Sequence, residues 1–127
     1  MSIRTPLAHA RGLGSAKSGT GHWWAQRLTA VALTPLIIWF VISLVIMTGS
    51  DHDTAIAWIG NPLTAILLVL LIATGFYHMQ LGLQVVIEDY FHTRWMEIAL
   101  LLSVKGAAVL FVVTAIFAVL KIAFGGM

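Results

Sequence analysis

Long uncharged stretches alternate with short polar clusters along this chain. Leu28 to Gly49 carries no charge at all. That is about 22 residues, enough to cross a hydrocarbon core of roughly 30 Å at about 1.5 Å per residue. Pro35 lies inside the stretch, and membrane helices tolerate such a proline. Trp23 and Trp24 stand at its start, where interfacial aromatics belong. Gly49, Ser50, Asp51, His52 and Asp53 form a polar break, followed by Trp58, Gly60, Asn61 and Pro62. Pro62 is well placed to open a helix. From Leu63 to Ile87 the only ionisable side chain able to take a proton is His78. Glu88 to Arg94 make a second polar connection, and a third apolar run extends to Phe124 with Lys105 inside it. The pattern predicts an all-α membrane protein. Its three transmembrane helices are expected at about 23–49, 61–88 and 96–124, behind a flexible or surface-lying tail over 1–22.

Composition supports that picture and removes alternatives. The 127 residues are 60% hydrophobic and only 9% charged, with a mean hydropathy of +0.97. A soluble domain carries about 25% charged residues to coat its surface. The chain contains no cysteine, which excludes disulfides, thiolate zinc sites and all-cysteine iron–sulfur clusters. A net charge of +2, with the bases gathered ahead of an apolar run, does not point to nucleic acid. That first run is too long for the core of a cleaved signal, so the first helix is expected to be retained. Arg4, Arg11, Lys17 and Arg27 precede or open it without any acid, whereas the first connection has Asp51 and Asp53 and no Lys or Arg. The positive-inside rule then sets the N-terminus in the cytoplasm.

The chemistry concentrates on the second span. At about 100° per residue, Gly75, His78, Gly82, Val85 and Asp89 share one helical stripe. Glycines on such a face admit another backbone or a flat ligand, and haem iron is commonly held by histidine. With Asp89 and Tyr90 at the interface, His78 lies about 16 Å deeper, near the bilayer centre. Two readings stand for it: a ligand to haem iron, or a neutral imidazole hydrogen-bonded to a neighbouring helix. Glu88, Asp89 and Tyr90 form either a solvated helix end or a polar pocket. In the pocket, Tyr90 would donate to a quinone carbonyl and Asp89 would hold or relay a proton. Lys105 is either a snorkelling lysine or, like Arg27, a partner for a haem propionate. His9, His22, His52 and His92 lie outside the spans. A haem with two histidine ligands would therefore take its second from another subunit.

These residues resemble a known family. His78-x-x-x-Gly82, then Val85, Val86, Asp89 and Tyr90 at the end of the second of three helices, is similar to the D-type hydrophobic membrane anchor of succinate dehydrogenase (complex II, succinate:quinone oxidoreductase). Trp24-x-Gln26-Arg27-x-Thr29-Ala30 at the first helix supports the match. The Arg-Pro-x-Ser-Pro-His segment of the companion C-type anchor is absent. The resemblance implies that His78 is an axial ligand of a haem b shared with the C-type anchor, the two anchors forming a haem-binding helix bundle. It also implies that Tyr90 and Asp89 belong to the ubiquinone site and that Arg27 lies near quinone and haem propionates. The implied partners are the C-type anchor, an iron–sulfur subunit and a flavoprotein. The implied location is a bacterial inner or mitochondrial inner membrane, with the N-terminus on the cytoplasmic or matrix side. No succinate oxidation is expected of this chain alone, which has neither cysteines nor a dinucleotide fingerprint. A fumarate reductase anchor, and a cofactor-free transport or assembly subunit with His78 and Lys105 along a polar path, are the alternatives.

Overall fold

The computed structural model describes Pro6 and residues 18–125. Four helices account for nearly all of 18–125: α1 (Ser18–Ile46), α2 (His52–Gly60), α3 (Pro62–Tyr90) and α4 (Arg94–Ala123). Three of them, α1, α3 and α4, are long and apolar enough to cross a membrane. Large apolar side chains face outward all along them, from Val31 and Val45 on α1 to Val109 and Phe117 on α4. A helix that is apolar on every side belongs in lipid. Hydroxyls inside the spans are satisfied by their own helix: Thr34 donates to the Ala30 carbonyl, Ser43 to Trp39, Ser103 to Ala99 and Thr114 to Leu110. No water is available at that depth to do this.

Helix α3 is the centre of the arrangement. It packs against α1 on one side and α4 on the other, while the backbones of α1 and α4 stay apart among the described residues. Asn61 opens α3, its side chain accepting from the backbone N–H of Leu63 at 3.0 Å and of Thr64 at 3.4 Å, with Pro62 in the first turn. This is the capping arrangement that satisfies otherwise free amides. Only Phe91, His92 and Thr93 separate α3 from α4, so the two must lie side by side and antiparallel.

The structure departs from the sequence expectation in two places. Helix α1 begins at Ser18 rather than 23, which moves His22 from the tail into a helix, and it ends at Ile46, where the chain turns through Gly49 at φ +84°. The rest of the tail, with His9, lies outside the described residues apart from Pro6. The first connection, read as a polar break, holds the short helix α2. Asp51 caps it by accepting from the Thr54 N–H at 2.9 Å. Its indole Trp58 stacks on Trp39 of α1 at 5.9 Å between centroids, with Phe40 at 6.5 Å. These aromatics rest on a small core of Ala65, Leu68 and Val119. Helix α2 also packs against α4 at Gly60, where a β-carbon would make an ordinary contact of 3.7 Å with the Ile122 carbonyl.

Candidate functional site

The seam between α1 and α3 carries the site. Three pairs face one another across it. A β-carbon on Gly75 would meet the Leu33 side chain at 3.7 Å, and one on Gly82 the Gln26 side chain at 3.8 Å, both ordinary contacts. Between them the Thr29 hydroxyl meets His78 Nδ1 at 2.9 Å. The positions on α1 rise as those on α3 fall, so the helices run antiparallel in a fixed register. The glycine stripe therefore admits the α1 side chains, not open space for a ligand. Val85 and Asp89, further along the same stripe toward the start of α1, are exposed.

His78 is half-buried in the middle of α3. Among the described residues, its one hydrogen bond is the contact of Nδ1 with Thr29. Neither sequence reading is eliminated by this: the ring is bonded to a neighbouring helix, and its other nitrogen is not engaged. Asp89 and Tyr90 form the last residues of α3, both exposed, Tyr90 to 76%. They stand at the end of the molecule where α1 begins. Arg27 is at that end too, its guanidinium 5.5 Å over the Trp23 ring. Lys105 is elsewhere. It lines a groove of about 410 Å³ between α3 and α4 with Phe76, Tyr77 and Gln80. On a helical projection Phe76 and Gln80 lie nearly opposite His78, and Tyr77 about 100° away.

A second cavity, of about 370 Å³, opens beside the seam between His22, Gln26, Gln84 and Glu88. Gln84 and Glu88 in its wall continue a ladder along α3 that starts at Gln80, which lines the groove beside Lys105. Gln80 donates to Gln84 at 3.0 Å, and Gln84 donates to Glu88 at 3.1 Å. The Gln26 Oε1 atom is buried and has no hydrogen-bond partner among the described residues. No group of three or more His, Cys, Asp or Glu side chains able to hold a metal ion occurs among the described residues.

Residues 1–120 match the family described as succinate dehydrogenase/fumarate reductase transmembrane subunit. The chain belongs to that family. Among curated relatives, the succinate dehydrogenase hydrophobic membrane anchor subunit of Rickettsia bellii (strain RML369-C) is 36% identical over 92% of this chain and 94% of its own. The protein of the same name from Paracoccus denitrificans is 35% identical over 100% and 98%. The succinate dehydrogenase membrane anchor subunit of Reclinomonas americana is 28% identical over 73% and 80%. No solved structure matches. The resemblance seen at the end of α3 is thus borne out over the whole chain: this is a multi-pass transmembrane subunit of the succinate dehydrogenase anchor type.

For this anchor the sequence reading named His78 but missed what holds it. Gln26 and Thr29 were visible only as letters of a motif, because their partners are far along the chain; Thr29 and His78 are separated by 49 positions. The glutamine ladder did leave a signal, since Gln80, Gln84 and Glu88 recur every fourth residue, the spacing at which helical side chains meet.

Proposed function

We propose that this chain anchors succinate dehydrogenase in the membrane, supplies His78 as one axial ligand of a haem b, and offers Tyr90 and Asp89 to ubiquinone. One observation carries the haem assignment. The His78 ring lies inside an apolar span with Nδ1 engaged by Thr29 and with no protein partner on Nε2 among the described residues. Metal-bound histidines usually use the second nitrogen in this way, on a neighbouring acceptor. The residues present therefore fit haem, as half of its ligand set. Among the described residues the other histidines are at helix ends or in a connection: His22 near the start of α1, His52 opening α2 and His92 between α3 and α4. The second ligand is assigned to the C-type anchor.

Haem b supplies a reversible one-electron store when bound. The chain's own residues do the rest. Arg27 shares α1 with Thr29 and is exposed, so it suits a propionate carboxylate better than Lys105, which lines a groove on the far side of α3. Reduction of ubiquinone to ubiquinol takes two electrons, delivered by the iron–sulfur subunit after the flavoprotein oxidises succinate, and two protons. Tyr90 donates a hydrogen bond to one quinone carbonyl and fixes the ring. Asp89, the next residue on the exposed last turn, holds a proton close to that carbonyl. Both sit at the cytoplasmic or matrix end, where the soluble subunits dock.

Two substitutions in the assembled complex test this. Tyr90→Phe is expected to lower ubiquinone reduction about tenfold, the effect of one hydrogen bond in the transition state. It spares succinate oxidation measured with a soluble artificial acceptor. His78→Ala is expected to abolish the low-spin haem b bands. Normal quinone turnover in the first variant rejects the role of Tyr90, and an unchanged haem spectrum in the second rejects that of His78.

A further inference from the structure

We propose that Thr29 is a positioning residue for His78: its hydroxyl accepts the Nδ1 proton, fixes the imidazole in that tautomer and keeps the Nε2 lone pair free for iron. This rests on the reading of His78 as a haem ligand. The argument is a count of hydrogens. A threonine hydroxyl has one hydrogen and two lone pairs. Thr29 Oγ1 has three neighbours: the Ala25 carbonyl at 2.7 Å, the Gln26 carbonyl at 3.0 Å and His78 Nδ1 at 2.9 Å. Carbonyl oxygens only accept, so a bond to either uses the single hydroxyl hydrogen. The contact with Nδ1 then falls on an oxygen lone pair, and Nδ1 must bring the proton. The distances agree. Hydroxyl-to-carbonyl bonds cluster at about 2.7–2.8 Å and N–H to oxygen bonds at about 2.9–3.0 Å.

The opposite arrangement costs more. A hydroxyl turned toward Nδ1 gives up Ala25 and forces the ring proton onto Nε2. That N–H would face an apolar span without an acceptor, a desolvated donor of the kind proteins avoid. The seam also prevents Thr29 from sliding away. Leu33 against Gly75 and Gln26 against Gly82 lock the register about one turn to either side. A hydroxyl bound to its own backbone is a rigid acceptor, because back-bonding selects its rotamer.

A proton held by an outside acceptor makes the imidazole a more basic ligand, and a more basic ligand favours ferric over ferrous iron. The test uses the assembled complex with Thr29→Val, which keeps shape and removes the acceptor, and Thr29→Ser, which restores it. The readouts are the haem b midpoint potential and the haem retained against a competing apoprotein. Thr29→Val is expected to raise the potential and to lower haem retention on the order of tenfold, with Thr29→Ser close to wild type. Should Thr29→Val not assemble, Thr29→Ala removes the same acceptor by truncation alone and is read the same way. Wild-type potential and retention in Thr29→Val or Thr29→Ala overturn the proposal, and so does a Thr29→Ser complex as altered as Thr29→Val. If His78→Ala still abolishes the haem bands while the Thr29 variants are silent, only the positioning role fails. If His78→Ala leaves the bands intact, the ligand reading falls and this one with it.

Discussion

The two ends of the helix row are built on different chemistry. At the end closed by α2, the contacts are apolar and internal: Trp58 on Trp39, Phe40 beside them, and Ala65, Leu68 and Val119 beneath. The helix starts there are capped by the chain itself, Asp51 for α2 and Asn61 for α3. At the opposite end, Arg27, Glu88, Asp89 and Tyr90 are exposed, and the cavity beside the seam is lined with polar groups. The first end is finished by packing within one chain. The second presents charge and hydrogen-bonding capacity outward, which suits the proposed contacts with other subunits and a quinone. The seam around His78 lies between, stitched by two glycines and a hydroxyl.

The sharpest way to break this comparison is Trp58→Ala. Loss of the stacked indole is expected to destabilise the α2 end by about 3 kcal/mol, read as a lower thermal midpoint of the complex in detergent. The haem spectrum should stay as it was. A shifted spectrum would mean that the ends are coupled. Next comes Gly82. A β-carbon there would lie 3.8 Å from Gln26, an ordinary contact, so Gly82→Ala is expected to change stability by less than about 0.5 kcal/mol. Gly82→Leu overfills the seam and costs about 2 kcal/mol, with loss of haem from the complex and an intact α2 end. If Gly82→Leu is as silent as Gly82→Ala, the seam is not packed as described.

The smallest effect separates the two caps. The Thr54 side chain, and then its backbone N–H, hold the Asp51 carboxyl below its usual value. Its contribution to α2 is fully present above the unfolded value, about 3.9, and is lost as pH falls through the lower folded one. Asn61 cannot titrate, so the start of α3 keeps its cap. Amide exchange, taken relative to its intrinsic rate at each pH from about 5 down to about 2, should quicken at the α2 N-terminus and not at Leu63 and Thr64. Equal quickening at both would contradict the difference.

The spans were legible because lipid leaves little choice: a long uncharged run must be a helix. His78 was legible because an imidazole in such a run stands out. What surrounds it was not, because contacts across a seam join positions far apart in sequence, and no local pattern marks Thr29 as the partner of His78. The glycine spacing showed a cleared face and left its occupant open; α1 fills it. Helix α2 went unread because nine residues are too few for a periodic signal, and its order comes from stacking on Trp39. Pro62 opens α3 as its place in the sequence suggests, whereas the connection before it holds a helix that its polar residues do not announce.

The central place of α3 has a mechanical consequence. Because the backbones of α1 and α4 each pack on α3 and stay apart from each other among the described residues, the spans form a strip, closed at one end where Trp39 of α1, Trp58 of α2 and Val119 of α4 meet in one cluster. A disturbance on α4 reaches the Thr29–His78 joint through α3, or through α2, which packs on α4 and stacks Trp58 on Trp39 of α1. A strip also exposes two broad sides, so a partner laid along one of them can grip all three spans at once while the joint that orients His78 stays inside this chain.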